Sequence, residues 1–504
     1  MYVRERTFYT DVCVIGGGSA GCSAAVQASR CGLDTILIEQ QQSLGGLLTN
    51  ALVSGLAGLR EGNAGEFTEM LEKEGLTTPS WLCPVVDAER AKLVLENYVH
   101  NAGVRILYNM TAYDVVSEDG FIKEVNCVFM GTKVSIKARM YIDATGDASV
   151  AAMAGAPVAE GGAEFSGINS ASSLHLRIAH VNLVKYREAN ASYKQEQADA
   201  GVPEEDRIEL MTKVIREAAK RGEITDQLAG YLKRTGGRQV PSLDPKGEED
   251  ATVLMILHCY NCRNTDPEDF TRQLYEQHTQ AWMLEKILKK YCPGWEGAGI
   301  VTVAPMLGIR DSRRIIGEYV FNDADLAGQH RFEDSICRFD DMFDLHHPVT
   351  PTLVMRHGHV RKPEEKGFYR KEKCDINMHP FGYPEGFEAR TDPKGYCEVP
   401  YKAIVPKKVK NLFAVGRCFS VGFDTLGGIR LVATCMSLGQ AAGVAAKLCF
   451  DNDCTPAELD GKLVHKYLME ECGIPLESVT GRLITKAETK GEPYISPADS
   501  IKYR

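Results

Sequence analysis

The sequence predicts an α/β protein built around a Rossmann-like dinucleotide-binding domain. A short apolar strand at 11–15 runs into a glycine-rich turn and then into an alanine-rich helix. Two later strand-like segments, at 140–143 and 411–415, also run into turns that contain glycine. The chain has 504 residues, of which 44% are hydrophobic and 25% charged. This globular composition and length indicate about two to four structural units.

The first strand, turn and helix carry a G-x-G-x-x-G motif at 16–21. In such a motif Gly16 permits the tight turn, Gly18 lets the backbone approach a pyrophosphate, and Gly21 lets helix and strand pack closely. The helix is predicted over 22–30, and the N–H groups and partial positive charge of its start would face the phosphates. Ser19 and Ala20 of the motif are also expected to bind the cofactor. A second strand at 35–38 ends at Glu39, which is placed to accept the ribose hydroxyls.

The net charge, the apolar runs and the cysteine spacing exclude several kinds of partner and location for the protein. The net charge of −10 argues against a nucleic-acid partner. The sequence shows no run of about 20 uninterrupted apolar residues and no signal-peptide core, so we expect no membrane span and a cytoplasmic location. The 16 cysteines follow no framework spacing and are expected to be reduced thiols.

Several segments resemble the FAD-dependent oxidoreductase family related to fumarate reductase and aspartate oxidase flavoproteins. They are Gly45-Gly46 after Glu39, the D-A-T-G-D stretch at 143–147, the strand that ends in Gly416-Arg417, and L-G-G-I-R at 426–430. The resemblance implies an FAD cofactor in a Rossmann-like FAD-binding domain of the glutathione-reductase type. Beyond the residues of the glycine motif and Glu39, it implies cofactor contacts from Gly45, Gly46, Thr145, Gly146, Asp147, Gly416, Arg417, Gly428, Ile429 and Arg430.

Two mid-chain segments extend the resemblance, G-I-R-D-S-R-R-I at 308–315 and D-L-H at 344–346. The likeness covers roughly 8–160 and 300–450. The sequence departs from relatives of the glutathione-reductase type, which end a late strand with Gly-Asp, so the ribityl contact is expected to fall to Asp147 or to backbone groups. No H-S-x-A-x-G-G segment follows Gly46, which argues against a covalent histidyl flavin, and no second glycine motif indicates a nicotinamide domain.

The cofactor motifs lie towards both ends of the chain, which predicts a discontinuous FAD-binding domain at 1–155 plus 395–450. An inserted α+β substrate or cap domain then covers 156–394, with a charged helical insertion at about 189–250. The last segment, 451–504, is predicted to be helical. Within the middle region the pattern predicts a buried strand at 253–257 and helices at 208–221 and 267–290.

Catalytic residues follow from the same motifs. His346 is the expected acid or base, since it lies in the D-L-H segment and imidazole exchanges protons near neutral pH. Helical spacing would put Arg310 and Arg314 on one face, which suits holding a carboxylate or the flavin pyrophosphate. Arg313 would form an ion pair with Glu318 or with a neighbour. The histidines at 346, 347, 357 and 359 could alternatively form a metal site or be structural, and no metal is expected.

Two further features leave alternatives open. Cys259 and Cys262 form a C-x-x-C that is a redox pair, half of a metal site or two structural thiols. Arg430 and the glycines before it contact the flavin, or the small-residue helix at 431–448 simply packs tightly.

The expected activity is hydride exchange between flavin N5 and a small organic substrate. The alternatives are a flavin-carrying electron-transfer subunit working with a protein partner, or a flavin monooxygenase. The electron acceptor (redox protein, quinone or oxygen) and a homo-oligomeric state stay open.

Overall fold

The computed structural model describes residues 5–78, 83–203, 207–224, 239–241, 252–327, 330–339, 342–349, 353–357 and 396–476. Within these ranges the strands, in chain order, are β1 (Glu5–Ile15), β2 (Thr35–Glu39), β3 (Thr77–Thr78), β4 (Val85–Val86), β5 (Arg105–Tyr108), β6 (Thr111–Glu118), β7 (Phe121–Phe129), β8 (Thr132–Asp143), β9 (Val158–Glu160), β10 (Ser172–Ala179), β11 (Gln239–Pro241), β12 (Thr252–Cys259), β13 (Gly299–Val303), β14 (Arg313–Ile315), β15 (Ser335–Phe339), β16 (Met342–His346), β17 (Leu353–His357), β18 (Cys397–Pro400) and β19 (Leu412–Ala414).

The α-helices of the same ranges are α1 (Ser19–Arg30), α2 (Gly62–Lys73), α3 (Ala88–Asn101), α4 (Ser149–Met153), α5 (Leu183–Asp199), α6 (Leu210–Lys220), α7 (Pro267–Tyr291), α8 (Asp323–Ala327), α9 (Phe423–Ile429), α10 (Val432–Asn452) and α11 (Gly461–Glu470). Short 3-10 helices lie at Ala163–Phe165, Tyr401–Ile404 and Gly416–Cys418. The helices expected at 208–221 and 267–290 correspond to α6 and α7, and the strand expected at 253–257 lies inside β12.

The main sheet is Rossmann-like. Its parallel part has the order β5-β2-β1-β8-β19, and β7 and β6 extend it as antiparallel strands beside the first half of β8. In β19, Leu412 pairs with Tyr141 and Ala414 with Asp143. Two segments more than 260 residues apart in the sequence therefore end at the same edge of one sheet.

Alternating side chains of the central strands fill two separate cores. Val12, Val14 and Leu37 pack on the side of α1 and α10, whereas Cys13 and Ile36 pack on the opposite side. Because successive side chains of a strand point to opposite faces, an apolar run such as 12–15 is what a sheet covered on both faces requires.

Helices α1 and α10 pack with their backbones in close approach. A Cβ at Gly439 would overlap the Ala20 carbonyl, and a Cβ at Gly443 would lie 2.8 Å from the Ala24 carbonyl oxygen. The small-residue helix expected at 431–448 is thus a core helix. Among the described helices α10 alone is long and apolar enough to cross a membrane, and 83% of the apolar stretch tested is buried inside the protein.

A second, antiparallel sheet has the order β11-β12-β10-β13. Leu174 and Leu176 of β10 and Leu257 of β12 form a core with Leu284 and Leu288 of α7. The opposite face of β10 and β12 carries polar side chains. Two of them are Ser173 and His258, which lie opposite each other in the register of the two strands. This polar face contributes to the site described below.

The expected domain boundaries at 155, 395 and 450 remain predictions. Residues 225–238 and 242–251 of the expected insertion, 358–395 of the expected substrate domain and 477–504 of the expected C-terminal segment lie outside the described residues. The cysteines among the described residues are free thiols, and most of them are buried.

Candidate functional site

The glycine motif forms the turn between β1 and α1. Gly16 has a φ of +102°, and a Cβ there would lie 2.5 Å from the Ala144 carbonyl oxygen. A Cβ at Gly21 would overlap the carbonyl of Gly16. At Gly18, by contrast, a Cβ would meet no atom within 4 Å. Gly16 and Gly21 are therefore required by the protein's own packing, whereas the absence of a side chain at Gly18 keeps open space beside the motif.

The start of α1 has the form of a phosphate-binding helix end. Gly18 is the N-cap in an extended conformation, Ser19 and Ala20 begin the helix, and the first turn of α1 holds no acidic residue. The N–H groups at such an end carry a partial positive charge and suit the oxygens of a pyrophosphate. The cradle fits a dinucleotide such as FAD.

The Gly45-Gly46 segment runs directly over the glycine motif. Gly45 donates its N–H to the Gly17 carbonyl at 2.8 Å and forms a parallel bridge with Gly18. Gly46 has a φ of +52°, and a Cβ there would lie 3.0 Å from the Gly18 Cα. Glycine at both positions therefore keeps this wall of the space next to Gly18 free of side chains.

Glu39 ends β2 and braces the motif. One carboxylate oxygen accepts the N–H of Gly17 at 2.5 Å, and the other accepts the N–H of Gln41 at 2.7 Å. Burial raises the pKa of the Glu39 carboxyl, and the two backbone hydrogen bonds oppose this rise. The expected contact with ribose hydroxyls stays a prediction, and the structure adds a second role, which is to hold the turn.

The D-A-T-G-D stretch forms a tight turn at the end of β8. The buried Asp143 carboxylate accepts the N–H and hydroxyl of Thr145, at 3.0 and 2.7 Å, and the N–H of Ala151 at 2.9 Å. Gly146 follows with a φ of +78°, and a Cβ there would lie 2.8 Å from Nε of Arg417. The turn thus lies between Gly16 on one side and Arg417 on the other.

Arg417 and Asp147 form an ion pair at this edge. Arg417 donates to Oδ1 of Asp147 at 2.7 Å, and the hydroxyl of Ser312 donates to the same oxygen at 2.5 Å. Gly416, with a φ of +76°, places its backbone against Ala20 of α1, where a Cβ would lie 3.1 Å from the Ala20 Cβ. An arginine in place of the aspartate found in relatives of the glutathione-reductase type therefore positions the carboxylate of Asp147.

Gly428, Ile429 and Arg430 lie at the junction of two helices. Gly428 and Ile429 are buried in the last turn of α9, and Arg430 is its partly exposed C-cap. Leu431 is the N-cap of α10, and Ala433 donates its N–H to the Ala57 carbonyl at 3.0 Å. This helix start therefore lies against the chain that continues from Gly45-Gly46.

The two expected catalytic residues meet through a third that the sequence did not single out. Arg310 donates to the Ala171 carbonyl at 2.6 Å, and its other terminal nitrogen lies 3.2 Å from Nε2 of His258. The rings of His258 and His346 are stacked, with centroids 4.9 Å apart and an angle of 24° between the planes. We call Arg310, His258, His346 and the neighbouring His175 the histidine–arginine cluster.

His175 completes the cluster from β10. Its Nδ1 lies 3.3 Å from the Leu52 carbonyl oxygen, and its Nε2 is buried with no hydrogen-bond partner in the described structure. Burial lowers the pKa of His175 to about 4, and the nearby charges of Arg310 and His346 contribute to that shift. His175 is therefore neutral at pH 7 and buries an unused ring nitrogen beside a guanidinium, an arrangement that suits a polar ligand.

The cluster adjoins the expected cofactor residues at two points. Leu52, which contacts His175, lies seven residues after Gly45. Ser312, which donates to Asp147, lies two residues after Arg310. The expected cofactor residues and the expected catalytic residues are thus joined by short stretches of chain, and their being parts of one site stays a prediction.

The expectation that Arg310 and Arg314 share a helix face is wrong. Arg313 and Arg314 lie in strand β14, which pairs with β9, so Arg310 and Arg314 do not share a helix face. Arg314 is buried and donates to the carbonyls of Gly161 and Val421, at 2.8 and 3.1 Å. Arg313 donates to the Asp147 carbonyl at 3.1 Å, and among the described residues no ion pair joins it to Glu318.

Of the other histidines of the group, only His347 has a described side chain. The Nδ1 of His347 accepts the N–H of Val349 at 3.1 Å, and its ring meets Phe165 edge-on at 5.1 Å. His357 lies in β17, where its side chain is not described, and His359 lies outside the described residues. Over the described ranges, no group of three or more His, Cys, Asp or Glu side chains could hold a metal ion.

Comparison with known proteins gives the family. A family model described as "FAD dependent oxidoreductase" matches residues 11–468. A digeranylgeranylglycerophospholipid reductase of Methanothermobacter thermautotrophicus is 32% identical over 158 residues, which are 28% of this chain and 39% of that protein. A thiamine thiazole synthase of Saccharolobus islandicus is 26% identical over 32% of this chain and 65% of its own length. The chain thus covers less than half of the first of these relatives.

Among solved structures, a geranylgeranyl bacteriochlorophyll reductase-like protein of Thermoplasma acidophilum is similar with a TM-score of 0.41 and 14% identity, over 92% of this chain and 84% of that one. A flavin-dependent brominase has the same TM-score of 0.41 at 11% identity, over 92% of this chain and 84% of its own.

Proposed function

The chain belongs to the FAD-dependent oxidoreductase family, and from this premise we propose that it exchanges a hydride between flavin N5 and a small organic substrate with an acidic group. It is an enzyme with FAD as its cofactor. The observation that carries the proposal is the contact of Arg310 with His258, which is itself stacked on His346. A guanidinium beside imidazoles offers both an anion-binding group and a proton-transfer group.

The residues at the glycine-lined edge fit the role of holding FAD. Gly18 and the start of α1 would bind the pyrophosphate, and Glu39 would accept the adenosine ribose hydroxyls. Asp147, positioned by Arg417, would meet the ribityl chain, and the start of α10 with Arg430 would lie at the pyrimidine side of the flavin. Bound FAD supplies the hydride chemistry.

The chain's own residues would bind and orient the substrate and move one proton. Arg310 would hold the acidic group of the substrate, and the backbone bond from its guanidinium to Ala171 fixes its direction. His346 would give or take the proton that accompanies hydride transfer, since imidazole titrates near pH 7. His175 is neutral because its pKa is about 4. It would donate or accept a hydrogen bond, and Arg310 would remain the group that binds the anion.

The proposal extends to the branch of the family, the division into domains and the location of the enzyme. We assign the chain to the fumarate reductase and aspartate oxidase branch on the strength of the R-D-S-R-R segment at 310–314 and the D-L-H segment at 344–346. The second sheet and its helices would be the substrate domain, inserted into an FAD-binding domain of the glutathione-reductase type. We also propose that the enzyme is cytoplasmic, acts on a small acid, and binds neither nucleic acid nor a membrane.

Anaerobic stopped-flow spectroscopy of the purified yellow protein tests the proposal. Small carboxylic acids and their reduced partners are screened for bleaching or return of the oxidised flavin absorbance. Reduction by an acid substrate alone is the expected result. Reduction only by a protein partner would indicate an electron-transfer subunit, and dependence on NAD(P)H together with oxygen would indicate a monooxygenase; either result overturns the proposal.

A further inference from the structure

Helix α7 carries a row of exposed side chains at seven-residue spacing. Glu268, Tyr275, Trp282 and Lys289 are all exposed, and solvent reaches 74% of Tyr275 and 60% of Trp282. The Lys286 ammonium lies 4.8 Å from the Trp282 ring centroid and leaves most of that ring exposed. Seven residues are close to two helical turns, with a drift of only about 20°, so the four side chains share one face of α7. We call Glu268, Tyr275, Trp282 and Lys289 the α7 stripe.

The other face of α7 is fixed to the second sheet. Leu284 lies in the core that α7 forms with β10 and β12, and Gln280 donates to the His258 carbonyl at 3.2 Å. The packing of α7 within its own chain therefore uses side chains other than Tyr275 and Trp282. Those two exposed rings face outward from a helix that is held in place, and tyrosine and tryptophan are the side chains that interfaces use most as anchors.

The α7 stripe is complementary to itself when its direction is reversed. Its glutamate lies in the first turn of α7 and its lysine in the last turn. A twofold axis midway between positions 278 and 279 would put Glu268 of one copy opposite Lys289 of the other, and Tyr275 opposite Trp282. Within the described part of the chain, the ion pairs of α7 leave out both Glu268 and Lys289. One axis thus pairs opposite charges at both ends and aromatic rings in the middle.

Neither the helix itself nor a membrane surface accounts for the whole stripe. Acidic residues in a first turn and basic residues in a last turn stabilise a helix through its macrodipole, but this gives no reason for two exposed aromatic rings between them. A membrane surface favours basic side chains beside aromatic ones. The stripe has an acidic end, and the net charge of the chain is −10. A second copy of the chain, in contrast, offers a partner to every member of the stripe.

We propose that the protein forms a symmetric dimer in which the α7 stripes of two copies pack antiparallel. In twofold dimers, the commonest homo-oligomers, both copies use the same surface patch. Packed helices lie about 8–10 Å apart, which lets the tyrosine of one copy reach the tryptophan of the other and the glutamate reach the lysine. The dimer is independent of the proposed flavin chemistry.

Zero-length cross-linking of the holoenzyme tests the pairing. A carbodiimide joins a carboxylate to an amine in direct contact, and along one helix Glu268 and Lys289 lie about 32 Å apart. A peptide pair linked through these two residues therefore reports a contact between copies. We expect this cross-link together with a light-scattering mass of twice one chain. A monomeric mass at tens of micromolar protein, or a dimer without the cross-link, overturns the proposal.

Charge reversal provides a matched control within the α7 stripe. Glu268→Lys and Lys289→Glu should each raise the dimer dissociation constant about tenfold, because like charges then face each other at both ends. The variant with both changes restores opposite charges at both ends and should dimerise as wild type does. Damage to folding cannot produce such a rescue. Equal weakening in the single and double variants overturns the antiparallel pairing.

Removal of an aromatic ring tests the centre of the interface. Trp282→Glu should give a monomer with wild-type flavin content and melting temperature, because the ring is exposed in the single chain. Leu93→Glu changes a similarly exposed apolar side chain on α3 and should stay dimeric. A dimer that persists in Trp282→Glu overturns the proposal. So does a monomeric wild type that floats with phosphatidylserine vesicles and loses this binding in Trp282→Glu, since the stripe would then bind a membrane.

Discussion

The imidazole of His258 stacks on that of His346 with ring centroids 4.9 Å apart, and its Nε2 lies 3.2 Å from the guanidinium of Arg310. These three residues come from β12, from β16 and from the segment before β14. The stack places the buried His346 against His258, which itself contacts a permanent positive charge. A histidine so placed is suited to proton transfer at a bound acid.

His346→Gln is expected to retain FAD and to slow flavin reduction by the substrate about 100- to 10,000-fold, the range for loss of a general acid or base. Glutamine keeps polarity and approximate size but cannot exchange a proton at neutral pH. Single-turnover reduction under anaerobic conditions measures the rate, with the visible flavin spectrum as the check on cofactor content. His278→Gln, on the exposed side of α7, is the control and should match wild type. An unchanged rate in His346→Gln would remove this residue from the mechanism.

The low pKa of His175 predicts a loss of stability in acid. The folded pKa is about 4, below the ordinary value near 6.5, so the unfolded chain binds more protons between these pH values. Stability from this group is fully present above about pH 6.5 and is lost as the pH falls towards 4, by at most about 3 kcal/mol. Chemical denaturation at pH 7 and pH 4.5 should show a smaller pH-dependent loss in His175→Gln than in wild type. An identical loss in both proteins would contradict a neutral, buried His175.

Gly18→Ala is expected to separate cofactor binding from folding. The backbone of Gly18 has a φ of −68°, which alanine adopts, and a Cβ there meets no protein atom within 4 Å. The apoprotein should therefore melt as wild type does, while FAD affinity falls by about 1–3 kcal/mol because the methyl group occupies pyrophosphate space. Calorimetric titration of the apoprotein with FAD measures the loss.

Gly299→Ala serves as the control for that experiment, since a Cβ there lies 3.8 Å from its nearest neighbour and far along the chain from the motif. Gly21→Ala, whose Cβ would overlap the Gly16 carbonyl, should instead destabilise the apoprotein. Wild-type FAD affinity in Gly18→Ala would mean that the pyrophosphate does not pass this glycine.

Glu39→Ala is expected to weaken FAD binding by about 1–3 kcal/mol, because the ribose hydroxyls lose a charged acceptor and the Gly17 N–H loses its partner. Glu39→Gln keeps one acceptor oxygen and should lose less. Titration with FAD and with riboflavin distinguishes the two roles, since riboflavin lacks the adenosine ribose. Glu118→Ala, on an exposed part of β6, is the control. Equal losses of binding free energy for FAD and riboflavin would contradict the ribose contact and would mean that Glu39 only stabilises the glycine turn.

The cofactor edge was predictable because its signals are local. Glycine at 16 and 21 is required by contacts within the strand, turn and helix or with the next strand end, and such requirements leave a fixed spacing in the sequence. The sequence predicted that both strand ends contribute to one FAD-binding domain, but not that β19 pairs with β8; the register that joins Ala414 to Asp143 comes from the structure.

The histidine–arginine cluster was only partly predictable because it depends on non-local pairing. His175 and His258 come together through the register of β10 and β12, in which Ser173 lies opposite His258. The available signal was a histidine interrupting an apolar strand pattern at each position. The arginine spacing at 310–314 indicated a helix, but the segment at 313–315 finds its partner in β9, about 150 residues earlier, and no local pattern reveals such pairing.

Hydride exchange between flavin and an acid substrate is tested most directly by anaerobic flavin reduction with substrate deuterated at the carbon that gives up hydrogen. The account predicts that substrate alone bleaches the flavin, that deuterium slows the bleaching, and that Arg310→Gln raises the substrate concentration needed for half-maximal rate about tenfold or more, as loss of a charged hydrogen bond implies. Bleaching that is insensitive to deuterium, or that requires a protein partner or NAD(P)H, would contradict it.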